Sequence, residues 1–167
     1  MPSKFPELYA RNAEEIERFS AAAGRWIQQR WEEHGHVLPV VLLVEDDANV
    51  LKAFSRLIRP LAREVRTATT VAEAIAALAV RPWIDLLLLD EKLPNGSGVR
   101  VARAVRAQPE IADIPILVVS GVEPDVIRAK YCEVAGVDVL LKGDLDALVR
   151  AVRDSYPVAR FGTSAGD

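Results

Sequence analysis

Short apolar runs alternate with amphipathic stretches along the chain after residue 37. The apolar runs predict five β-strands, and the i, i+3, i+4 spacing of the stretches between them predicts helices. The predicted strands are Val40–Val44, Val65–Ala68, Leu86–Leu89, Ile114–Val119 and Val137–Leu141. The predicted helices are Ala48–Leu61, Val71–Val80, Val99–Ala107, Pro124–Ala135 and Asp144–Ser155. Because the strands are continuous apolar runs, both of their faces are expected to be buried, which predicts an α/β fold with a doubly wound, five-stranded parallel sheet.

Turn-forming residues lie at the boundaries of these elements. Thr70, three residues before Glu73, predicts a capping box at the start of the second helix. The segment from Pro94 to Gly98 reads Pro-Asn-Gly-Ser-Gly and predicts the loop before the third helix. Gly136 predicts the C′ position after the fourth helix.

The first 36 residues follow a different pattern. Apolar and polar positions four and three apart predict one long helix, roughly from Pro6 to Glu33, with a heptad-like seam: Tyr9, Asn12, Ile16, Phe19, Ala23, Trp26 and Arg30. A lone helix cannot bury such a stripe, so it either packs on its own domain or mediates homodimerisation or docking. We therefore predict an N-terminal helical extension (1–36), a domain (37–156) and a C-terminal tail (157–167).

Composition narrows the range of partners. Half of the 167 residues are hydrophobic, and 21 basic residues against 24 acidic ones give a net charge of −3. This balance gives no electrostatic case for nucleic acid or an anionic membrane surface as a partner. The one cysteine, Cys132, cannot form an internal disulfide, and no apolar run approaches the ~20 residues that span a bilayer. We expect a cytoplasmic protein.

Acidic residues follow two of the predicted strands. Glu45, Asp46 and Asp47 come directly after the first strand, and Asp90 follows the third. The carboxyl ends of neighbouring parallel strands share one edge of a sheet, where ligands of doubly wound folds bind. Carboxylates crowded at that edge repel one another, and a hard divalent cation such as Mg²⁺ relieves the repulsion.

The two remaining strands end in groups that complete this chemistry. Ser120 follows the fourth strand and Lys142 follows the fifth. A carboxylate can be the nucleophile in phosphoryl transfer, while a metal ion, an ammonium and a hydroxyl stabilise the charge on the transferred group. Each residue alone has an ordinary structural explanation, such as a helix cap or a solvated lysine. Their occurrence at four separate strand ends favours a functional site.

Four motifs from about Leu38 to Ser155 resemble the receiver domain of two-component response regulators. They read VVLLVEDD, DLLLLDEKLPNGSG, IPILVVSG and VDVLLK, in that order. The resemblance implies a flavodoxin-like fold with strand order 2-1-3-4-5. It also implies that a sensor histidine kinase or a phosphotransfer protein donates a phosphoryl group to the domain.

The same resemblance implies a role for each site residue. Asp90 would accept the phosphoryl group, Ser120 would be the switch hydroxyl, and Lys142 would pair with the phosphoryl group. The residues implied to hold Mg²⁺ are Glu45, Asp46, Asp90 and the backbone carbonyl of Lys92. Asp47 would lie just outside the site.

Two positions depart from the family pattern. Gly143 stands where a proline commonly follows the lysine, and since a non-proline cis bond costs ~3 kcal/mol, a trans bond or a rearranged, looser loop is expected there. Val139 stands where the family often has an aromatic residue that moves with the switch hydroxyl.

We expect a receiver that catalyses only its own phosphorylation and dephosphorylation and is otherwise not an enzyme. Only twelve residues follow Ser155, which predicts a stand-alone receiver whose output is contact with an unidentified downstream protein. One alternative is a degenerate receiver that binds partners without phosphorylation. The other is an aspartate-nucleophile phosphatase, whose Asp-x-Asp pattern after the first strand is not matched here, because Asp46 and Asp47 are followed by Ala48 and Asn49.

Overall fold

The computed structural model describes Ala21, Arg25 and residues 38–155. In chain order the strands are β1 (Val40–Val44), β2 (Glu64–Ala68), β3 (Leu86–Asp90), β4 (Lys92–Leu93), β5 (Gly96–Ser97), β6 (Ile116–Ser120) and β7 (Val137–Leu141). The helices of residues 38–155 are α1 (Ala48–Ile58), α2 (Val71–Ala77), α3 (Gly98–Ala107), α4 (Pro124–Lys130) and α5 (Leu145–Asp154). A 3₁₀ turn, Arg59–Leu61, follows α1.

Five parallel strands form the main sheet in the order β2-β1-β3-β6-β7, with apolar helices on both faces. The strands β1, β3 and β6 are buried along their whole length. The expectation of burial on both faces is wrong for β2 and β7, which lie at the edges of the sheet and are partly exposed. Leu42 and Val44 pack towards α2, α3 and α4, whereas Val41 and Leu43 pack towards α1 and α5. The predicted α/β class and strand order are confirmed, with β6 and β7 as the fourth and fifth predicted strands.

The parallel register places the carboxyl ends of the strands at one edge. Val44 at the end of β1 pairs with Leu89, and Asp90 at the end of β3 pairs with Val119. Ser120 pairs in turn with Leu141 at the end of β7. The residues that follow these strands therefore emerge side by side.

Three helices end three or more residues earlier than predicted, and α2 is one of them, since it stops at Ala77 rather than Val80. α1 stops at Ile58, and the residues up to Leu61 form a 3₁₀ turn because Pro60 lacks the N–H that an α-helical turn would use. The fourth helix stops at Lys130 rather than Ala135, so Gly136 is not its C′ residue. Gly136 has φ 68° in the turn before β7, where its carbonyl and that of Ala135 accept hydrogen bonds from the guanidinium group of Arg106.

The loop between β3 and α3 contains a hairpin that the sequence did not predict. β4 and β5 pair antiparallel, and Asn95 in the turn between them has φ 61°. The predicted cap of α2 is present, since the hydroxyl of Thr70 accepts a hydrogen bond from the backbone N–H of Glu73 (3.1 Å). The carboxylate of Glu73 accepts from the N–H and hydroxyl of Thr69.

Most of the predicted extension (1–36) and all of the predicted tail (157–167) lie outside the described residues. Within the extension, Ala21 and Arg25 are helical. Homodimerisation through this segment stays a prediction. Over the described residues, no helix combines the length and the apolarity needed to cross a membrane.

Candidate functional site

Three carboxylates meet where β1 and β3 end. Oxygen atoms of Glu45, Asp46 and Asp90 lie within 4.8 Å of one another. Glu45 and Asp90 are buried, and Asp46 is exposed. The structure thus brings together the three acids that the sequence analysis assigned to a metal site, and we call this cluster, with Lys142, the acidic site.

Lys142 reaches this cluster from the end of β7. Its Nζ lies 2.7 Å from Glu45 Oε2 and 3.3 Å from Asp90 Oδ2, and the side chain is buried. Its backbone N–H donates to the carbonyl of Ser120 (2.8 Å), which fixes where the lysine leaves the sheet. The peptide bond to Gly143 is trans, so the lysine faces the carboxylates without a cis bond after it.

Burial is the largest influence on the pKa of each buried group in the acidic site. Burial, followed by the charge of Asp90, raises the pKa of Glu45 to about 7, against the opposing effects of Lys142 and of the Asp47 backbone N–H. Burial also raises the pKa of Asp90, although Lys142 acts to lower it. For Lys142, burial acts to lower the pKa, but the carboxylates of Asp90 and Glu45 outweigh it, so the net pKa is raised.

The donor set fits Mg²⁺. Hard carboxylate oxygens within 4.8 Å of one another suit this ion, and a divalent cation would offset the burial and the Asp90 charge that raise the pKa of Glu45. Lys92, whose carbonyl the family pattern adds to the ligands, is the first residue of β4, two positions after Asp90. The geometry supports Glu45, Asp46 and Asp90 as the residues that would hold the ion, and the Lys92 carbonyl stays a prediction.

Ser120 lies at the end of the neighbouring strand β6. Its side chain is buried, and Val119 before it pairs with Asp90. The Ser120 hydroxyl accepts a hydrogen bond from the backbone N–H of Val122 (3.1 Å), so it interacts with its own loop. Ser120 therefore lies at the same edge of the sheet as Asp90, because β6 and β3 are neighbouring parallel strands.

Asp47 has a structural role. Its Oδ1 accepts hydrogen bonds from the backbone N–H groups of Asn49 (2.9 Å) and Val50 (3.2 Å), which caps α1. Its own N–H donates to Glu45 Oε1 (3.0 Å) and so helps to orient that carboxylate. Asp47 therefore lies just outside the acidic cluster.

Glu91 and Tyr131 form a further polar pair that no motif in the sequence indicated. Glu91 directly follows Asp90 and is buried, and its carboxylate accepts hydrogen bonds from the hydroxyls of Ser97 and Tyr131. Forty positions separate Glu91 from Tyr131, and no local spacing relates them. The only sequence signal is that a second acid directly follows Asp90 at the end of a buried strand.

A sequence model described as the response regulator receiver domain matches residues 41–153. The transcriptional regulatory protein PrrA of Mycobacterium tuberculosis is 36% identical over 123 residues, which cover 71% of this chain and 51% of the relative. The chain thus spans about half the length of that relative.

Solved structures share the fold. The chemotaxis protein CheY4 of Vibrio cholerae superimposes with a TM-score of 0.66 at 22% identity, covering 72% of this chain and all of that one. A structure from Chloroflexus aurantiacus, described as a putative response regulator, gives a TM-score of 0.64 at 27% identity and covers 73% of this chain and 98% of that one. The family match over residues 41–153, which is more than half of the chain, shows that the chain belongs to the response regulator receiver family.

Proposed function

We propose that this protein accepts a phosphoryl group on Asp90, with Mg²⁺, from a phosphohistidine of a sensor kinase or phosphotransfer protein. The observation that carries the proposal is the position of Asp90. Its buried carboxylate lies within 4.8 Å of the Glu45 and Asp46 oxygens and 3.3 Å from the Lys142 ammonium. A nucleophilic carboxylate beside hard metal ligands and a fixed cation is the arrangement that phosphoryl transfer needs.

In the proposed reaction an oxygen of Asp90 attacks the phosphorus atom. The new P–O bond forms as the P–N bond to the donor histidine breaks, and the imidazole leaves with that bond's electron pair. Lys142 would pair with one oxygen of the transferred group. The Ser120 hydroxyl would turn away from the Val122 N–H and donate a hydrogen bond to a second oxygen of that group. Bound Mg²⁺ would supply positive charge that lets the neighbouring carboxylates ionise together and that neutralises the phosphoryl oxygens.

The output in this proposal is contact with another protein. Hydrolysis of the aspartyl phosphate would end the signal, so the domain turns over only its own modification. A cytoplasmic setting belongs to the proposal, because the donor kinase would draw on ATP. The relative PrrA is named a transcriptional regulatory protein, and since this chain matches about half of it, we assign no nucleic-acid contact to residues 38–155.

A degenerate receiver is the second candidate. Gly143 after the lysine and Val139, buried in β7, favour it, because both depart from the family pattern. The position of Lys142 against Glu45 and Asp90 supports the phosphorylated form instead. A phosphatase with its nucleophile after β1 is disfavoured because Asp47 caps α1.

Incubation with acetyl phosphate tests the proposal. Full-length protein is expected to gain one phosphate, detected by intact mass, when Mg²⁺ is present and not when it is chelated. Asp90→Asn should abolish the gain. Asp47→Asn is the matched control, because asparagine caps helices as well as aspartate, and it should label like the parent. Labelling of Asp90→Asn at the parent's level would refute the assignment.

A further inference from the structure

Glu91 is a buried carboxylate with donors on both oxygens. It is 6% exposed and directly follows Asp90. The hydroxyl of Ser97 donates to Oε1 (2.9 Å), and the hydroxyl of Tyr131, 3% exposed, donates to Oε2. Lys130 Nζ lies 3.6 Å from Oε1 and is partly exposed. We call Glu91, Ser97 and Tyr131 the Glu91 cluster.

The Glu91 cluster joins the residue after β3 to the start of α3 and to the end of α4. Ser97 is the N-cap of α3, and Tyr131 is the C-cap of α4. The backbone carbonyl of Glu91 also accepts a hydrogen bond from the N–H of Gly98 (2.9 Å). The junction between Asp90, which ends β3, and Lys92, which begins β4, is therefore held at Glu91 by both helices.

The space for the Tyr131 hydroxyl depends on Gly98. A Cβ atom there would lie 2.5 Å from the Tyr131 hydroxyl oxygen and 2.8 Å from the backbone carbonyl oxygen of Asp90. Only a residue without a Cβ atom fits between them. The hydroxyl thus lies against the backbone next to the acid that we propose is phosphorylated.

Packing alone does not explain the cluster. A phenylalanine at position 131 and an apolar residue at 91 would fill the same volume without burying a charge, which is costly unless it is fully paired. Burial, and then the hydrogen bond to Glu91, raise the pKa of Tyr131, so the hydroxyl stays a donor. Val139, buried in the same core, has no polar group to link α4 and β7 to the acidic site.

We propose that Tyr131 is a positioning residue for the acidic site. Through Glu91 it holds the loop Asp90–Lys92 in the conformation that binds the cation beside Glu45 and Asp46, and this couples cation binding to the end of α4. The inference rests on the proposed function, since the cation is the Mg²⁺ of that site. Because such coupling is reciprocal, Mg²⁺ must also stabilise the end of α4.

Two substitutions in one helical region test the coupling in the full-length protein. Tyr131→Phe removes only the hydroxyl. Ile127→Val, at a residue that is also buried, removes one methylene from the same face of α4 without touching Glu91 and is the matched control. Mg²⁺ titrations followed by NMR give the dissociation constant, and amide exchange of residues 125–131 with and without Mg²⁺ reports the order of α4.

Tyr131→Phe is expected to raise the Mg²⁺ dissociation constant about threefold or more, while Ile127→Val changes it by less than about 1.5-fold. In the parent, Mg²⁺ should slow amide exchange at the end of α4, and Tyr131→Phe should remove that response. Glu91→Gln combined with Tyr131→Phe should weaken binding no more than the stronger single change, because both act through one hydrogen bond.

Equal dissociation constants for Tyr131→Phe and Ile127→Val, with Mg²⁺ binding in the parent intact, would overturn this inference and leave the proposed function standing. A parent that binds no Mg²⁺ would overturn both. If Tyr131→Phe does not fold, Glu91→Gln against Ile127→Val makes the same comparison.

Discussion

Asp90 and Glu91 are adjacent buried carboxylates in opposite surroundings. Asp90 lies beside two further acids and shares one ammonium, that of Lys142, with Glu45. Glu91 has no such competition within the described residues, since hydroxyl donors meet both of its oxygens and Lys130 lies nearby. One carboxylate belongs to a region with excess negative charge, and the other to a region in which charge is balanced.

Under the proposed function, this difference separates a reactive site from its support. A buried acid with incomplete compensation costs stability, and the fold keeps it where a cation and a phosphoryl group would restore the balance. A buried acid with full hydrogen bonding costs little and fixes the geometry around it. On this account the acidic site binds and reacts, while the Glu91 cluster holds the loop between them.

Removing each region's lysine should have very different effects. Lys142→Met leaves Glu45 and Asp90 without their buried partner and is expected to lower the free energy of unfolding by about 4 kcal/mol at pH 8 without Mg²⁺. Lys130→Met removes a partly exposed ammonium and should cost less than about 1 kcal/mol. Urea denaturation measures both, and similar losses would contradict the contrast between the regions.

The acidic site should also make stability depend on pH. The pKa of Glu45 rises from 4.5 to about 7 on folding. Between these values the unfolded chain ionises this group while the folded chain keeps its proton, so the free energy of unfolding falls as pH rises and levels off above about 7. The shift corresponds to about 3 kcal/mol, and Glu45→Gln should remove most of that fall.

Denaturation of the Mg²⁺-free parent and Glu45→Gln from pH 4.5 to 8 checks this. The raised pKa of Asp90 also makes the free energy of unfolding fall as pH rises. The contribution of Glu45 is therefore the difference in this fall between the parent and Glu45→Gln. Parallel pH profiles would show that Glu45 titrates normally in the folded chain.

The same amide substitution should have opposite effects at the two neighbouring acids. Asp90→Asn removes one of the crowded charges and is expected to stabilise the Mg²⁺-free protein by about 1 kcal/mol at pH 8. Glu91→Gln places an NH₂ group against a hydroxyl donor and should destabilise it by about 1–2 kcal/mol. If urea denaturation gave changes in the free energy of unfolding of the same sign for both variants, the two environments would not differ as described.

Most of the fold could be predicted from the sequence because the signals were local. Continuous apolar runs predicted the buried strands, and the family motifs implied their order. The predicted end of α4 was wrong because the residues after Lys130 keep the apolar spacing of a helix. In the structure these residues form turns instead. The β4–β5 hairpin was missed because each strand has two residues, too short for any periodicity.

The candidate site was partly predictable for a similar reason. Acids after β1 and β3 had to meet once the strands were parallel neighbours, so Glu45, Asp46 and Asp90 could be grouped in advance. Which donors surround Glu91 depends on how α4 packs against the loop after β3, and this contact between distant segments leaves no spacing in the sequence. The orientation of the Ser120 hydroxyl towards Val122 is a choice of rotamer that sequence does not encode.

Reductive trapping tests the central claim most directly. Full-length protein is treated with acetyl phosphate and Mg²⁺, the acyl phosphate is reduced with borohydride, and peptides are sequenced by mass spectrometry. The account predicts conversion of Asp90 to homoserine, dependent on both the phosphodonor and Mg²⁺. Conversion of Glu45, Asp46 or Glu91 with Asp90 unchanged, or no conversion at any residue, would contradict it.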